Sequence, residues 1–162
     1  MKERRKKLLF ALPMLIIMII IFCFSAQPSA QSSASSNFVV DHLIQVIGGI
    51  EEKLGMESTE PILDQKGMEI MTFLVRKLAH TFEYAVLGIS ICIFLYLNQW
   101  SYKKLFLISL GIGFAYACTD EFHQWFVPGR SCEFRDVLID TNGVFLGLLI
   151  SLFYLHRRRK SK

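Results

Sequence analysis

Hydrophobic residues in this chain are gathered into four long blocks rather than spread periodically among polar ones. The blocks cover about residues 8–24, 72–97, 105–127 and 137–155. A helix rises about 1.5 Å per residue, so the last three blocks suffice to cross a hydrocarbon core of about 30 Å, and the first is near the lower limit. The pattern predicts an all-α integral membrane four-helix bundle, with the whole chain, residues 1–162, as a single domain.

The segment between the first two blocks, residues 27–71, has a different pattern. Residues 28–37 are rich in serine and alanine, which favours a flexible exit from the membrane. In the following sequence FVVDHLIQVIGGIEEKL, apolar residues recur at helical spacing, which predicts an amphipathic helix at the membrane interface or capping the bundle. Residues 57–67 are acidic and rich in turn-forming residues, so we expect a connecting loop there.

Charge indicates how the spans are oriented. Basic residues cluster at 2–7, 103–104 and 157–162, each beside an apolar block, whereas acidic residues cluster at 41–69. The positive-inside rule then predicts a multi-pass membrane protein, with both termini cytoplasmic and the 27–71 loop outside. Because each basic cluster adjoins a predicted span, we expect no nucleic-acid partner.

The first block could also be a signal peptide, since a basic region precedes it and small residues follow it. A cut after Ala26 would leave the bulky Phe24 three residues upstream, where a small side chain is required. We therefore expect an uncleaved anchor, and cleavage would leave the topology of the other spans unchanged.

Ionisable residues of three spans fall at one depth. His80 lies about 6 Å and Glu83 about 10 Å below the predicted outer edge. Asp120 and Glu121 reach roughly 6–8 Å on the next span, and Asp140 reaches about 6 Å on the last. Such groups are costly within a bilayer and need a partner or a function, so we expect them to form one polar site beneath the outer surface.

Two local motifs support this site. Pro128 and Gly129 favour a tight turn between the third and fourth spans, which would aim Arg130 back over the polar residues. Gly143 and Gly147 form a GxxxG motif, which permits close helix approach just below the carboxylates.

The residue types in the site indicate candidate roles. His80 or Glu83 can act as a general base, the arginines and Lys77 can hold a phosphate or carboxylate, and the amides can orient their neighbours. Oxygen ligands of four carboxylates could hold Mg²⁺ or Mn²⁺, although no motif specifies a metal and the cofactor stays unknown. The candidate catalytic residues are His80, Glu83, Asp120, Glu121, Asp136 and Asp140, and the candidate substrate-binding residues are Arg76, Lys77, Gln124, Arg130 and Asn142.

Any single pair among these residues could instead be structural. His80 with Glu83 could be a hydrogen-bonded pair that fixes the bundle, and Asp120 with Arg76 could be a packing ion pair. The number of such groups at one depth favours a functional site, because each one costs desolvation.

The motifs in this region resemble those of the VanZ family, small membrane proteins associated with resistance to the glycopeptide teicoplanin. The matching pieces are FSAQP at 24–28, RKLAHTFEYAVLG at 76–88, and DEFHQWFVPGR with DVLIDTNGVFLG at 120–147. The resemblance marks Arg76, Lys77, His80, Glu83, Tyr84, Asp120, Glu121, Gln124, Pro128, Gly129, Arg130, Asp136, Asp140 and Gly143. The family often has asparagine at the position of Asp140, where this chain carries a further acid and has Asn142 two residues on.

Two functions are compatible with these features. The first is an enzyme of the cell envelope that acts at the outer leaflet on a membrane lipid or a lipid-linked cell-wall precursor. The second is a non-enzymatic protein that binds or shields, sequestering a lipoglycopeptide or limiting access to wall precursors. Ion-coupled transport is disfavoured, because the inner halves of the spans carry almost no polar groups. The oligomeric state and the substrate are open at this stage.

Overall fold

The structure is a computed structural model that describes residues 2–55 and 62–160 of the chain. Its described part is all-α, and its five helices are α1 (Lys2–Ser25), α2 (Ser29–Lys53), α3 (Gln65–Tyr96), α4 (Tyr102–Gln124) and α5 (Phe134–Lys160). Four of them are long and apolar enough to cross a membrane, namely α1 from Leu8, α3, α4 and α5. The predicted membrane bundle with an additional amphipathic helix is confirmed.

Helix α3 is the central element of the fold. It packs against each of the other four helices, while α4 also contacts α1 and α5. The core between them is formed by large apolar side chains, with Leu87 and Ile91 of α3, Leu105 of α4 and Leu148 of α5 all fully buried or nearly so. Outward-facing side chains such as Phe82 and Leu78 are exposed apolar groups, which is the arrangement expected where lipid replaces water as the solvent.

The α3–α5 contact depends on glycine. A Cβ on Gly143 would collide with the carbonyl oxygen of Thr81, and a Cβ on Gly147 would collide with the backbone of Ala85. A Cβ on Gly88 of α3 would likewise collide with the backbone carbonyl of Val144 in α5. The GxxxG motif therefore brings the two backbones together just below the polar residues, as predicted.

Helix α2 begins earlier than the sequence suggests. Residues 28–37 were expected to be a flexible exit, but α2 already starts at Ser29, directly after Pro28, so that expectation was wrong. Serine and alanine lose little side-chain entropy in a helix, and the hydroxyls of Ser35 and Ser36 donate hydrogen bonds to carbonyls four residues back. Packing against α3 then stabilises a segment whose composition alone indicates flexibility.

Helix α2 runs antiparallel to the first part of α3. The Thr72 hydroxyl donates a 2.6 Å hydrogen bond to the side chain of Asn37, and a guanidinium nitrogen of Arg76 lies 3.4 Å from the Ser33 hydroxyl. Helix α3 starts inside the predicted 57–67 loop, because the Asp64 carboxylate caps it by accepting a 2.7 Å hydrogen bond from the Gly67 amide. Residues 57–61 of that loop lie outside the described residues.

Candidate functional site

A compact turn connects α4 to α5 and forms the roof of the site. The amide of Val127 donates to the carbonyl of Gln124, and the amide of Arg130 donates to the carbonyl of Val127. Gly129 has a φ of 74°, a left-handed conformation that glycine adopts without strain. The turn predicted from Pro128 and Gly129 is therefore present, and it directs Arg130 back towards the helix ends.

Beneath this turn lies a cavity of about 150 Å³. Helices α2, α3, α4 and α5 and the turn all contribute to its wall, and most of the lining is polar or charged. The lining residues are Ser29, Phe73, Arg76, Lys77, His80, Glu121, Gln124, Gly129, Arg130, Ser131, Glu133, Arg135, Asp136 and Asp140.

Several of the charges around the cavity are paired with each other. Lys77 forms a salt bridge and hydrogen bond with Oδ2 of Asp136. At the exposed rim, Arg135 binds Glu133 at 2.8 Å. The carboxylate of Glu121 accepts a 3.1 Å hydrogen bond from the backbone amide of Glu133. These contacts link α3 and α4 to the start of α5 and fix the wall of the cavity.

The two other arginines of the wall have no carboxylate partner. Arg130 donates from Nε to the carbonyl of Gln27 at 3.0 Å and from Nη1 to the Gln124 side chain at 3.0 Å. Arg76 donates to the Ser33 hydroxyl at 3.4 Å, its one side-chain hydrogen bond within the described residues. Among the described residues, neither guanidinium forms a salt bridge. Burial, and then the charge of Arg76, lower the pKa of Arg130 below its usual value.

His80 and Asp140 face each other across the α3–α5 contact. Nδ1 of His80 lies 3.8 Å from Oδ1 of Asp140, within ion-pair range but too far for a hydrogen bond. The Asp140 side chain is only 2% exposed, and its other oxygen, Oδ2, has no hydrogen-bond partner in the described part of the chain. A histidine beside a buried carboxylate is a candidate acid–base group.

A second polar layer lies behind the cavity wall. The hydroxyl of Ser25, at the end of α1, donates a 2.7 Å hydrogen bond to Oδ2 of Asp120. The Gln124 side-chain nitrogen donates to the same oxygen at 3.1 Å, and it lies 3.3 Å from the Ser25 hydroxyl. Because Gln124 also accepts from Arg130, this layer supports the arginine that forms part of the wall.

The structure brings together most of the residues predicted from the sequence, but not all of them. Eight of the eleven line the cavity: Arg76, Lys77, His80, Glu121, Gln124, Arg130, Asp136 and Asp140. Asp120 lies in the layer behind the wall and Glu83 is half-buried outside the lining, whereas Asn142 is exposed. The predicted set therefore divides into eight cavity residues, Asp120 as a supporting residue, and two residues, Glu83 and Asn142, that do not line the cavity.

Sequence reasoning missed the contribution of the α1–α2 corner. Ser25, the carbonyl of Gln27, Ser29 and Ser33 all touch site residues, yet none was among the candidates. The amide of Ser29 also donates to the carbonyl of Pro128, which joins the corner to the roof. The signal that could have identified the corner was FSAQP at 24–28, one of the pieces that carry the family resemblance.

The suggested divalent-ion site is not supported. Within residues 2–55 and 62–160, no group of three or more histidine, cysteine, aspartate or glutamate side chains is arranged to hold a metal ion. Asp136 is occupied by Lys77 and Asp120 by Ser25 and Gln124, so the four carboxylates do not point at a common centre.

Comparison with known proteins gives one family. The model of the VanZ/LLP1 family matches residues 10–155, which include all of the cavity residues. No curated protein and no solved structure matches the chain.

Proposed function

The chain belongs to the VanZ/LLP1 family of membrane proteins, and we propose that its cavity binds the phosphate-bearing headgroup of an envelope lipid or lipid-linked cell-wall precursor. The observation that carries this proposal is the pair of arginines, Arg76 and Arg130, that line one cavity without a carboxylate partner. The proposed location is the outer leaflet of a bacterial plasma membrane, where the positive-inside rule puts this end of the bundle.

An anion between the two arginines would offset an unfavourable arrangement. The charge of Arg76 lowers the pKa of Arg130 after burial, while the more distant charges of Asp120, Glu121 and Asp136 act in the opposite direction without forming a salt bridge to it in the described residues. A guanidinium presents a planar fork of donors that suits phosphate oxygens, and each charge-assisted hydrogen bond contributes about 1.5–3 kcal/mol. A phosphate would therefore be held by groups that the protein itself leaves unpaired.

The size of the cavity favours a headgroup over a whole drug molecule. Pockets that enclose drug-sized ligands have volumes of roughly 300–1,000 Å³. This cavity has about 150 Å³, enough for a small polar group whose lipid chains stay in the membrane. Sequestration of an entire lipoglycopeptide would have to use another surface, so the headgroup function is the better supported of the two.

His80 gives the site a means of catalysis. It lines the cavity next to Asp140, where it can accept the proton of a water that attacks the phosphorus; the P–O bond to the leaving lipid oxygen breaks, and the imidazolium gives the proton to that oxygen. Asp140 would then stabilise the imidazolium that forms. Turnover of a bound lipid by the wild-type protein, and its loss in His80→Gln with retained binding, would distinguish an enzyme from a binding protein.

The binding function can be tested in lipid nanodiscs of defined composition. We expect Arg76→Gln and Arg130→Gln each to weaken the binding of a phosphorylated lipid by roughly 10- to 100-fold, because each removes one charge-assisted contact. The matched control is Arg157→Gln, the same change at the other end of the bundle, which should bind as the wild type does. Unchanged binding in both site variants would refute the proposal.

The link to teicoplanin resistance needs a separate test in cells. We expect expression of the wild type to lower teicoplanin susceptibility and the Arg130→Gln variant, made at the same level, to have no such effect. Equal susceptibility with and without the wild-type protein would remove the resistance role while leaving lipid binding in place.

A further inference from the structure

The cavity also contains hydrogen-bond acceptors that lack donors. Oδ2 of Asp140 and Oδ1 of Asp136 are both buried, and neither has a hydrogen-bond partner among the described residues. Both residues line the cavity, and the side chain of Asp140 is only 2% exposed. A buried carboxylate oxygen without a donor loses its hydration and gains nothing in exchange. Oδ1 of Asp120 is in the same state but lies behind the wall, whereas the oxygens of Asp136 and Asp140 belong to residues of the lining, where a ligand can supply the donor.

The positive groups of the protein do not neutralise Asp140. Lys77 is engaged with Asp136, and His80 stays 3.8 Å from Asp140. Three other acids, Asp120, Glu121 and Asp136, lie near Asp140, and the charge of Lys77 acts against theirs. The wall around Asp140 is therefore rich in acids, although the lining also has two arginines that form no salt bridge within the described residues.

We infer that the headgroup bound in this cavity is zwitterionic, with a phosphate held by Arg76 and Arg130 and an amino group held by Asp140. This inference rests on the proposed function, because it adds a second contact to the same ligand. The cavity offers free donors and free acceptors within about 150 Å³, and an ethanolamine-type phosphodiester carries the matching pair of groups two carbons apart.

A site of this kind would distinguish headgroups by their hydrogen-bond donors, and not by their size or net charge alone. A primary ammonium can donate up to three hydrogen bonds to carboxylate oxygens, whereas a trimethylated ammonium has the same charge and no donor. A glycerol headgroup keeps the phosphate and lacks the positive charge. Ethanolamine, choline and glycerol phospholipids with equal chains therefore show separately what the phosphate and the amino group contribute to binding.

The experiment compares nanodiscs of phosphatidylcholine that contain a small, equal fraction of phosphatidylethanolamine or phosphatidylglycerol, using lipid binding by native mass spectrometry as the readout. We expect the wild type to prefer phosphatidylethanolamine over phosphatidylglycerol and over the choline lipid by roughly tenfold, the factor of one charge-assisted hydrogen bond. In Asp140→Asn the preference over phosphatidylglycerol should disappear, and Asp140→Glu should restore part of it.

A matched control removes an acid of the same type far from the cavity. Asp41→Asn changes an exposed residue of α2 and should keep the wild-type preference. Soluble glycerophosphoethanolamine forms a further arm: competition with the lipid would show that the headgroup alone is recognised, as a free or a membrane-bound ligand. Absence of competition, together with a retained preference among lipids, would restrict the ligand to the membrane.

The outcomes separate this inference from the proposed function. Equal binding of the ethanolamine and glycerol lipids by the wild type would overturn the zwitterionic ligand and leave the phosphate-binding role intact. Binding of none of the three lipids would overturn the zwitterionic ligand as well, and the phosphate-binding role would then be decided by the Arg76→Gln and Arg130→Gln comparison with a phosphorylated lipid-linked precursor. If Asp140→Asn does not fold, the comparison of lipids by the wild-type protein still decides, because it needs no variant.

Discussion

The contact between Ser25 and Asp120 allows a direct test of how the α1–α2 corner supports the site. Ser25 is fully buried and lies outside the cavity lining, so Ser25→Ala does not remove a group that would touch the ligand. The substitution deletes the 2.7 Å hydrogen bond to Asp120 and keeps the size of the side chain almost unchanged. The change in the free energy of unfolding therefore measures what the hydrogen bond between Ser25 and Asp120 contributes.

The expected loss follows from what remains around Asp120. A buried acceptor that loses its donor costs about 1–3 kcal/mol, more when the acceptor is charged. Hydrogen bonds between membrane helices average about 0.6 kcal/mol and reach about 1.7 kcal/mol. Gln124 still donates to the same oxygen at 3.1 Å, so we expect Ser25→Ala to lower the free energy of unfolding by about 1–2 kcal/mol.

The assay is reversible unfolding in mixed micelles, with Ser109→Ala as the matched control. Ser109 is equally buried, yet its hydroxyl has no hydrogen-bond partner among the described residues, so its removal should be neutral or slightly stabilising. A Ser25→Ala variant as stable as the control would refute the reasoning. Lipid binding gives a second readout: the loss should also weaken binding, because Gln124 connects Asp120 to Arg130.

Three other predictions follow from individual contacts. Gly147→Ala should lower the free energy of unfolding by about 1–3 kcal/mol, because the added methyl group would collide with the Ala85 backbone. Gly111→Ala, which has open space around it, should be neutral or stabilising in the same unfolding assay. Tyr116→Phe should cost about 1 kcal/mol, measured in that assay, because the hydroxyl donates a 2.6 Å hydrogen bond to the carbonyl of Met18 in α1. With the other exposed cysteine removed by Cys23→Ser, an impermeant thiol reagent should label Cys132 in intact cells and give no signal when Cys132→Ser is added. Labelling only after permeabilisation would refute an outward-facing cavity.

Most of the fold could be predicted because membrane spans are determined by composition and length. The close α3–α5 approach could also be predicted, since Gly143 and Gly147 mark it in the sequence. The helical start of α2 could not be predicted, because a serine- and alanine-rich segment can be a flexible linker or a helix that packs on α3. The acceptor for Arg130 Nε is the main-chain carbonyl of Gln27, and no side-chain pattern identifies such a partner.

The candidate site shows how depth and helical face have to be combined. Asn142 and Asp140 lie at nearly the same depth, but two residues of an α-helix turn by about 200°, so they face almost opposite sides. Asp136 and Asp140 are four residues apart, share one face, and both line the cavity. Glu83 shares the face of His80 but lies about one turn further along α3. Helical face therefore excludes Asn142 from the site, and position along α3 excludes Glu83 from the lining.

The distribution of hydrogen bonds gives the strongest reason to regard the cavity as a binding site. In the layer behind the wall, Oδ2 of Asp120 accepts two hydrogen bonds, while its Oδ1 is buried without a partner in the described part of the chain. In the cavity, the basic residues Arg76 and Arg130 and the acidic residue Asp140 form no salt bridge with one another among the described residues, although all three line the same small space. Charges that served only to hold the helices together would have paired. The glycine contact, the α1–α2 corner and the α4–α5 turn keep them apart, and a ligand with both charges would join them.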